Sequence, residues 1–497
     1  MKSGGVDEEN RGEPLPGWLV AGTLAVLAAW TFWDRWQFLT ATPTPTGVDG
    51  YWYAVQLRSI LGGDGLYYPA APLALWLMAP LAALTDPFTG AKLGAALASA
   101  ALPIALYPLG RRIGGARAAG LLAAVLAATS AGSFYLATEF VKNAVALPIG
   151  IAALVAVARA LERPGRARVA LAAGLMIATG LAHTLILALV VIAAAPPIAV
   201  SLVERGRARA VAIGAAAGAA AAALLAWREA DLLGGLFSAE ADWALPALRL
   251  GGRALLFRHE VAVAGAVGLA ALVAALLARR VVQLESAVPL RDRAFGLGPA
   301  AWAVLFALPW IDAGDPDGLA FRVRLLSFAP LALAAPLLCA HALARLDATW
   351  RMTTIMLATG IALYRPGRYE APVVRADPDL AAAVAAARGR LPAGAMIVSP
   401  ERHLVFMTVW YTGVETRLDP DSVPADRRWR LIPMSYMSEA LVGALDAARA
   451  APGVAAPISL HRGNPNGLVL LPEPTWTWIL ARLPPPEARA YRSWPTH

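Results

Sequence analysis

Asp49 lies in GVDGYWYAVQLRSIL, directly after the first apolar run, with Tyr51, Trp52, Tyr53 and Arg58 close behind it. A carboxylate among aromatic side chains at a membrane surface can accept a proton from an attacking hydroxyl. The rings suit the boundary between water and lipid. Asp49 also stands where the N-cap of an interfacial helix would, and this stretch alone favours neither use. A second acidic position, Glu139, occurs in SFYLATEFVKNAVAL, with Lys142 just beyond it. Charges at span ends are usually solvated, so Glu139 gains meaning from being paired with Asp49. Arg322 and Arg324, in DAGDPDGLAFRVRLLSFAP, ask for an anionic partner. Phosphate fits, because a guanidinium offers two parallel N–H donors; anchoring on lipid headgroups accounts for these arginines equally well. His183, in GLAHTLILAL, could orient a substrate or serve structure alone.

These side chains need elements to position them, and the composition says which kind. Of 497 residues, 58% are hydrophobic and only 15% are charged, too apolar for one aqueous core. A bilayer core of about 30 Å needs roughly 20 apolar helical residues. On that measure about eleven spans are expected, near 17–37, 89–109, 117–137, 143–160, 168–183, 184–203, 208–227, 259–278, 297–311, 325–345 and 352–365. The basic segments GRRIGGAR, RALERPGRAR, ERGRAR, ARRVV with LRDR, and RLDATWR then all fall on one side, which the positive-inside rule assigns to the cytoplasm. Residues 1–16 are an expected cytoplasmic tail, and 17–37 an uncleaved anchor. The Pro-interrupted stretch 69–87 is too short to span and reads as a half-inserted segment. Counting it as a span would move GRRIGGAR outside, so the first outer loop runs over 40–88.

After residue 365 the composition shifts to Pro, Arg, Asp and short β-type runs. Residues 366–497 therefore read as a small extracytoplasmic α/β domain following a transmembrane core over 17–365. The expected fold is an α-helical polytopic membrane protein carrying that domain. Within it, SPERHLVFMTVWYTGVETR gathers Glu401, Arg402, His403, Trp410 and Tyr411 without a recognisable catalytic spacing.

Several classes drop out. The net charge of +9 sits in short segments between apolar runs, which orient spans rather than bind nucleic acid. Cys339 is the single cysteine, so no intramolecular disulfide or cysteine-rich zinc site forms. There is no Walker loop, GxGxxG, HExxH or GxSxG, so any activation energy must arrive in the substrate.

Four pieces carry a family resemblance: VDGYWYAVQLRSIL with its Asp, the aromatic and Pro-rich YYPAAPLALWLMAP, the turn LGRRIGGARAAGLLAAVLAATS, and FYLATEFVKNAVAL with its acidic residue. In this order the chain, over roughly residues 17–340, resembles the GT-C class of integral membrane glycosyltransferases. It is close to protein O-mannosyltransferases and to the aminoarabinose transferases that modify lipid A. The resemblance implies that Asp49 takes the family's first-loop catalytic carboxylate position. Glu139 takes its second acidic position, often Asp in relatives. It further implies a polyprenyl-phosphate sugar donor and a glycan, lipid or protein acceptor. The reaction is then expected at the outer face of a plasma (inner) membrane, with the C-terminal domain periplasmic or extracellular. On this reading transfer inverts configuration, Asp49 is the base, and Arg322, Arg324 and Lys142 hold the donor phosphate. Tyr51, Trp52, Arg58 and His183 are candidate substrate contacts. No cofactor is assigned, and a divalent metal joining Asp49 and Glu139 is left open. Two other classes stand beside this one: a transporter or lipid flippase, and a membrane platform for a binding domain at 366–497.

Overall fold

The computed structural model describes residues 15–204, 258–281, 288–307, 323–342, 378–460 and 467–492. The expected spans at 208–227 and 352–365, and Arg322, lie outside these residues. The chain divides into two compact units.

The first unit draws on Met1–Thr40, Tyr68–Leu81 and Lys92–Pro372. Its helices are α1 (Gly17–Thr40), most of α3 (Leu73–Leu84) and α4 (Pro87–Gly114), then α5 (Arg117–Thr129), α6 (Ala131–Glu139), α7 (Val141–Glu162), α8 (Arg166–Ala182) and α9 (Thr184–Glu204). Further along come α10 (Arg258–Val281), α11 (Leu290–Ala307) and α12 (Phe328–Ala342). Alanine and leucine dominate these sequences, both strong helix formers. The small side chains let helix backbones approach closely where no water drives association. Leu106, Leu109, Ile113, Leu154, Phe295 and Phe328 lie at the centre of the shared core. On the outer faces, Trp18, Val26 and Trp33 of α1 and Val263, Leu269, Leu276 and Leu277 of α10 are exposed. Such continuous apolar surface belongs against lipid.

Among the described residues, four helices are long and apolar enough to cross a membrane: Pro87–Gly114, Val141–Glu162, Thr184–Leu202 and Glu260–Leu277. The expected span 117–137 is not one helix. It breaks at Ser130 into α5 and α6, bent by 50°, and the pair makes a fifth crossing if taken as one. The Pro-rich stretch forms the 12-residue α3, short of a full span as its length requires.

The break is chemically accounted for. Interrupting a helix orphans carbonyls before the gap and N–H groups after it, and in an apolar bundle each needs a partner. Arg35 of α1, fully buried, donates from a terminal nitrogen to the Ala128 carbonyl at 3.0 Å. Glu260 of α10 accepts the Ala131 N–H at 3.0 Å and the Ser130 hydroxyl through a short bond. Ser130 Oγ in turn accepts the Ser133 N–H as the N-cap of α6. Arg35 is itself paired with Asp34 and lies over the Phe134 ring.

The second unit draws on Ala41–Tyr67, Ala82–Ala91 and Val373–His497. Of the expected first outer loop, residues 41–67 and 82–88 group with the C-terminal segment, while 68–81 group with the helices of the first unit. Its helices include α2 (Gly50–Gly62), α13 (Pro378–Ala385), α14 (Arg402–Thr412), α15 (Glu439–Ala450), α16 (Glu473–Leu480) and α17 (Pro485–Arg492). Five strands, β1 (Met396–Val398), β2 (Thr416–Arg417), β3 (Arg428–Pro433), β4 (Ile458–Leu460) and β5 (Leu468–Pro472), form one sheet in the order β2-β1-β3-β5-β4. β1 is parallel to β2 and β3, with Ile397 opposite Trp429; β5 is antiparallel to β3 and β4, with Leu470 opposite Leu431. Every residue of β5 is buried, as expected for a strand covered on both faces. Ile432, Leu441, Leu445, Val469, Leu471, Trp476 and Ile479 build the core beside it. Glu473, at the start of α16, binds Arg430 at 2.9 Å and Arg428 at 3.3 Å.

Candidate active site

Asp49 precedes α2 and would be its cap on sequence grounds, but its side chain makes no capping hydrogen bond. A second aspartate in the same unit shows what capping looks like here. Asp86 precedes Pro87, and its Oδ1 accepts the N–H groups of Phe88 at 2.8 Å and Thr89 at 3.1 Å, the arrangement expected of an N-cap followed by Pro at the first helical position. Asp49 is held differently. Gly47, with φ of +85°, turns the chain in a conformation that favours glycine. A side chain on Gly50 would come within 2.9 Å of Pro45. The tight PTPTGVDG turn thereby directs the Asp49 carboxylate away from the helix start.

Its partner is Arg402, the first residue of α14, whose Nε lies 3.0 Å from Asp49 Oδ1. Oδ1 is buried yet receives no aligned hydrogen bond, so charge proximity rather than a directed bond joins the two. Proximity of this kind orients the carboxylate.

The far end of α14 contributes aromatic rings. Tyr51 packs edge-on against Phe88 at 5.6 Å and lies tilted against Tyr411 at 5.7 Å, while Phe88 meets Trp410 at 4.5 Å. The Tyr51 and Tyr411 hydroxyls are 3.2 Å apart. Burial, and then the Tyr411 hydroxyl, push the Tyr51 phenol well above its ordinary range, so it stays protonated and able to donate. Arg58 lies 4.4 Å over the Trp410 ring and donates to the carbonyls of Trp410 at 2.8 Å and Val409 at 3.2 Å. A cation there completes the C-terminal end of α14, which closes on Gly413 in the left-handed region. Beside Arg402, His403 Nδ1 pairs with Glu401 Oε2 at 2.8 Å.

The expectation that Tyr51, Trp52 and Tyr53 form a belt facing lipid is corrected. All three are buried, at 2%, 8% and 3% exposure. Gly50 through Leu57 are all buried, so the first two turns of α2 are covered by protein on every face rather than by lipid on one.

The other predicted residues lie in the first unit. Glu139 is buried and ends α6, where Phe140 leaves helical geometry before α7 begins. Lys142, in the first turn of α7, is partly exposed. Arg324 is buried and its Nε donates to the Phe306 carbonyl at 2.9 Å. His183 ends α8, and its Nδ1 accepts the Leu185 N–H at 3.2 Å, which places the proton of the neutral ring on Nε2. Arg402 and Glu260 were not singled out as site residues in the sequence. Arg402 sits in a motif without catalytic spacing, and Glu260 is one carboxylate at the head of an apolar run; neither carries a local signal of the partner it meets. Among the described residues no three His, Cys, Asp or Glu side chains are grouped to hold a metal.

Residues 69–227 match the family described as dolichyl-phosphate-mannose-protein mannosyltransferase. This stretch is narrower than the resemblance over 17–340. It contains the α5–α6 break, Glu139, Lys142 and His183, and leaves out Asp49 and Arg402. No curated protein is matched by the chain. Together with the apolar helices, the family match supports a membrane glycosyltransferase of the mannosyltransferase type.

Proposed function

We propose that the chain is an inverting glycosyltransferase that moves a sugar, on the family match a mannosyl group, from a polyprenyl-phosphate donor to an acceptor hydroxyl at the outer face of the plasma membrane. The observation that carries this reading is the Asp49 carboxylate, released from capping and set against Arg402. In the proposed step Asp49 takes the proton of the acceptor hydroxyl, whose oxygen bonds to the anomeric carbon. The bond from that carbon to the phosphate oxygen breaks, and its electron pair leaves with the lipid phosphate from the opposite face. Arg402 is a positioning residue for the base. Glu139 is the second acidic group, and Arg322, Arg324 and Lys142 are proposed to face the leaving phosphate, where their charge offsets the negative charge that builds up.

The test is transfer from a labelled polyprenyl-phosphate sugar by membranes carrying the wild type or Asp49→Asn. A loss of about 10²- to 10⁴-fold is expected on removing a general base. Equal activity in a folded Asp49→Asn protein sinks the assignment.

The transporter reading draws on one specific observation: the broken helix at Ser130, whose freed backbone groups meet Arg35 and Glu260. Broken spans with buried ionisable groups are a transporter feature. Proteoliposome flux of the lipid-linked sugar without any transfer product would favour it.

A further inference from the structure

The first unit contains a cavity of about 780 Å³ whose charged lining is Arg111, Arg112, Arg159, Glu162, Arg163, Arg168 and Asp292. It lies where the C-terminal ends of α4 and α7 meet the start of α11. Arginine at a helix C-terminus compensates the helix dipole, and basic loops orient spans during insertion. Both explanations account for the charges, yet neither requires a concavity. The volume is that of a ligand pocket rather than a packing defect.

The charges within it are unevenly matched. Five arginines face two carboxylates. Arg112 occupies both of these, at 2.6 Å from Glu162 and 2.9 Å from Asp292, and Arg291 reaches Asp292 as well. Arg112 thus ties α4, α7 and α11 together and fixes the wall. Gly115 closes another side with φ of +70°, and a side chain there would strike Val288. Arg168 donates to the Arg163 carbonyl at 2.7 Å, which holds the α7–α8 turn. Among the described residues, Arg159 and Arg163 have no carboxylate within ion-pair distance. The cavity therefore keeps an excess of guanidinium charge in a space shaped by neutralised pairs.

We infer that this cavity binds a phosphate group, presented by the headgroup of an anionic membrane lipid or free in solution, with Arg159 and Arg163 as its principal ligands. Guanidinium forks match phosphate oxygens in two-point contacts, and basic pockets between membrane helices are suited to phosphate-bearing headgroups. The site is separate from Asp49 and does not depend on the transferase reading.

Native mass spectrometry of the full-length protein in detergent tests it, with phosphatidylglycerol, phosphatidylcholine and inorganic phosphate as probes. Retention of phosphatidylglycerol alone identifies the lipid as the source. Retention of inorganic phosphate as well identifies the phosphate group itself. In either case R159Q/R163Q should bind on the order of tenfold more weakly, while R388Q/R390Q, in the other unit, should bind as the wild type does. Where the double variant fails to fold, the single variants R159Q and R163Q serve, each expected to lose several-fold. The inference is overturned if neither anionic probe is retained over phosphatidylcholine, or if the folded variants bind as tightly as the wild type.

Discussion

At the scale of single residues, two aspartates of one unit stand before helices and behave differently. Asp86 spends its carboxylate on backbone N–H groups, whereas Asp49 is turned toward Arg402. If Arg402 positions the base, Arg402→Gln should lower kcat by about tenfold with little change in KM for the acceptor, because a positioning group acts in the transition state more than in binding. Arg402→Lys should recover part of the loss. A uniform rise in KM instead would make Arg402 a binding residue. Tyr51 allows a test by pH. Its phenol, and that of Tyr67, are raised chiefly by burial, while an unfolded tyrosine ionises near pH 10, roughly its unperturbed value. Above that pH the unfolded chain loses protons that the folded one keeps, so stability present below it is lost as pH rises. Tyrosinate absorbance should show late-titrating groups in the native protein, one fewer in Tyr51→Phe. Titration of every tyrosine near the ordinary value would contradict the buried cluster.

At the scale of elements, the α5–α6 break is the feature that hydropathy could not place. The run over 117–137 is apolar apart from Arg117 and the small cluster TSAGS at 129–133, and periodicity does not mark whether a helix will bend there when its faces are otherwise apolar. The bend depends on Arg35 and Glu260, which come from α1 and α10 and satisfy the freed carbonyl and N–H groups. Glu260→Ala should leave the Ala131 N–H and the Ser130 hydroxyl without their acceptor, costing about 1–3 kcal/mol. Thermal unfolding in detergent would read this as a lowered Tm, with Glu260→Gln milder than Glu260→Ala. No change in Tm would mean that the break is held by packing alone. In the second unit the helices and strands of the C-terminal segment were legible, since SEALVGALDAARA alternates apolar and polar residues at helical spacing and GLVLLPE is a short β-type run.

For the whole molecule, the segregation of arginines leads to the proposed orientation, with the basic loops inside and residues 378–492 outside. In a Cys339→Ser background, Arg166→Cys should react with a membrane-impermeant thiol reagent only after permeabilisation. Gly389→Cys should react in intact cells. The reverse pattern would invert the topology and move Asp49 to the wrong side for a lipid-linked donor presented outside.

What the chain determined by itself was its class. Hydropathy requires a lipid-embedded helical protein because apolar surface on this scale has no stable place in water, and the wording of 69–227 supports the mannosyltransferase type. What only the tertiary structure decided was which charges meet. Arg402 reaches Asp49, and Arg58 reaches Trp410, across more than 300 residues of chain. Glu260 likewise reaches the Ser130 break from well over 100 residues away. Local periodicity reports the face a residue occupies, not the distant element that face will bury against. Ion pairing and backbone satisfaction, which act over a few ångströms, are therefore set only once the helices have packed.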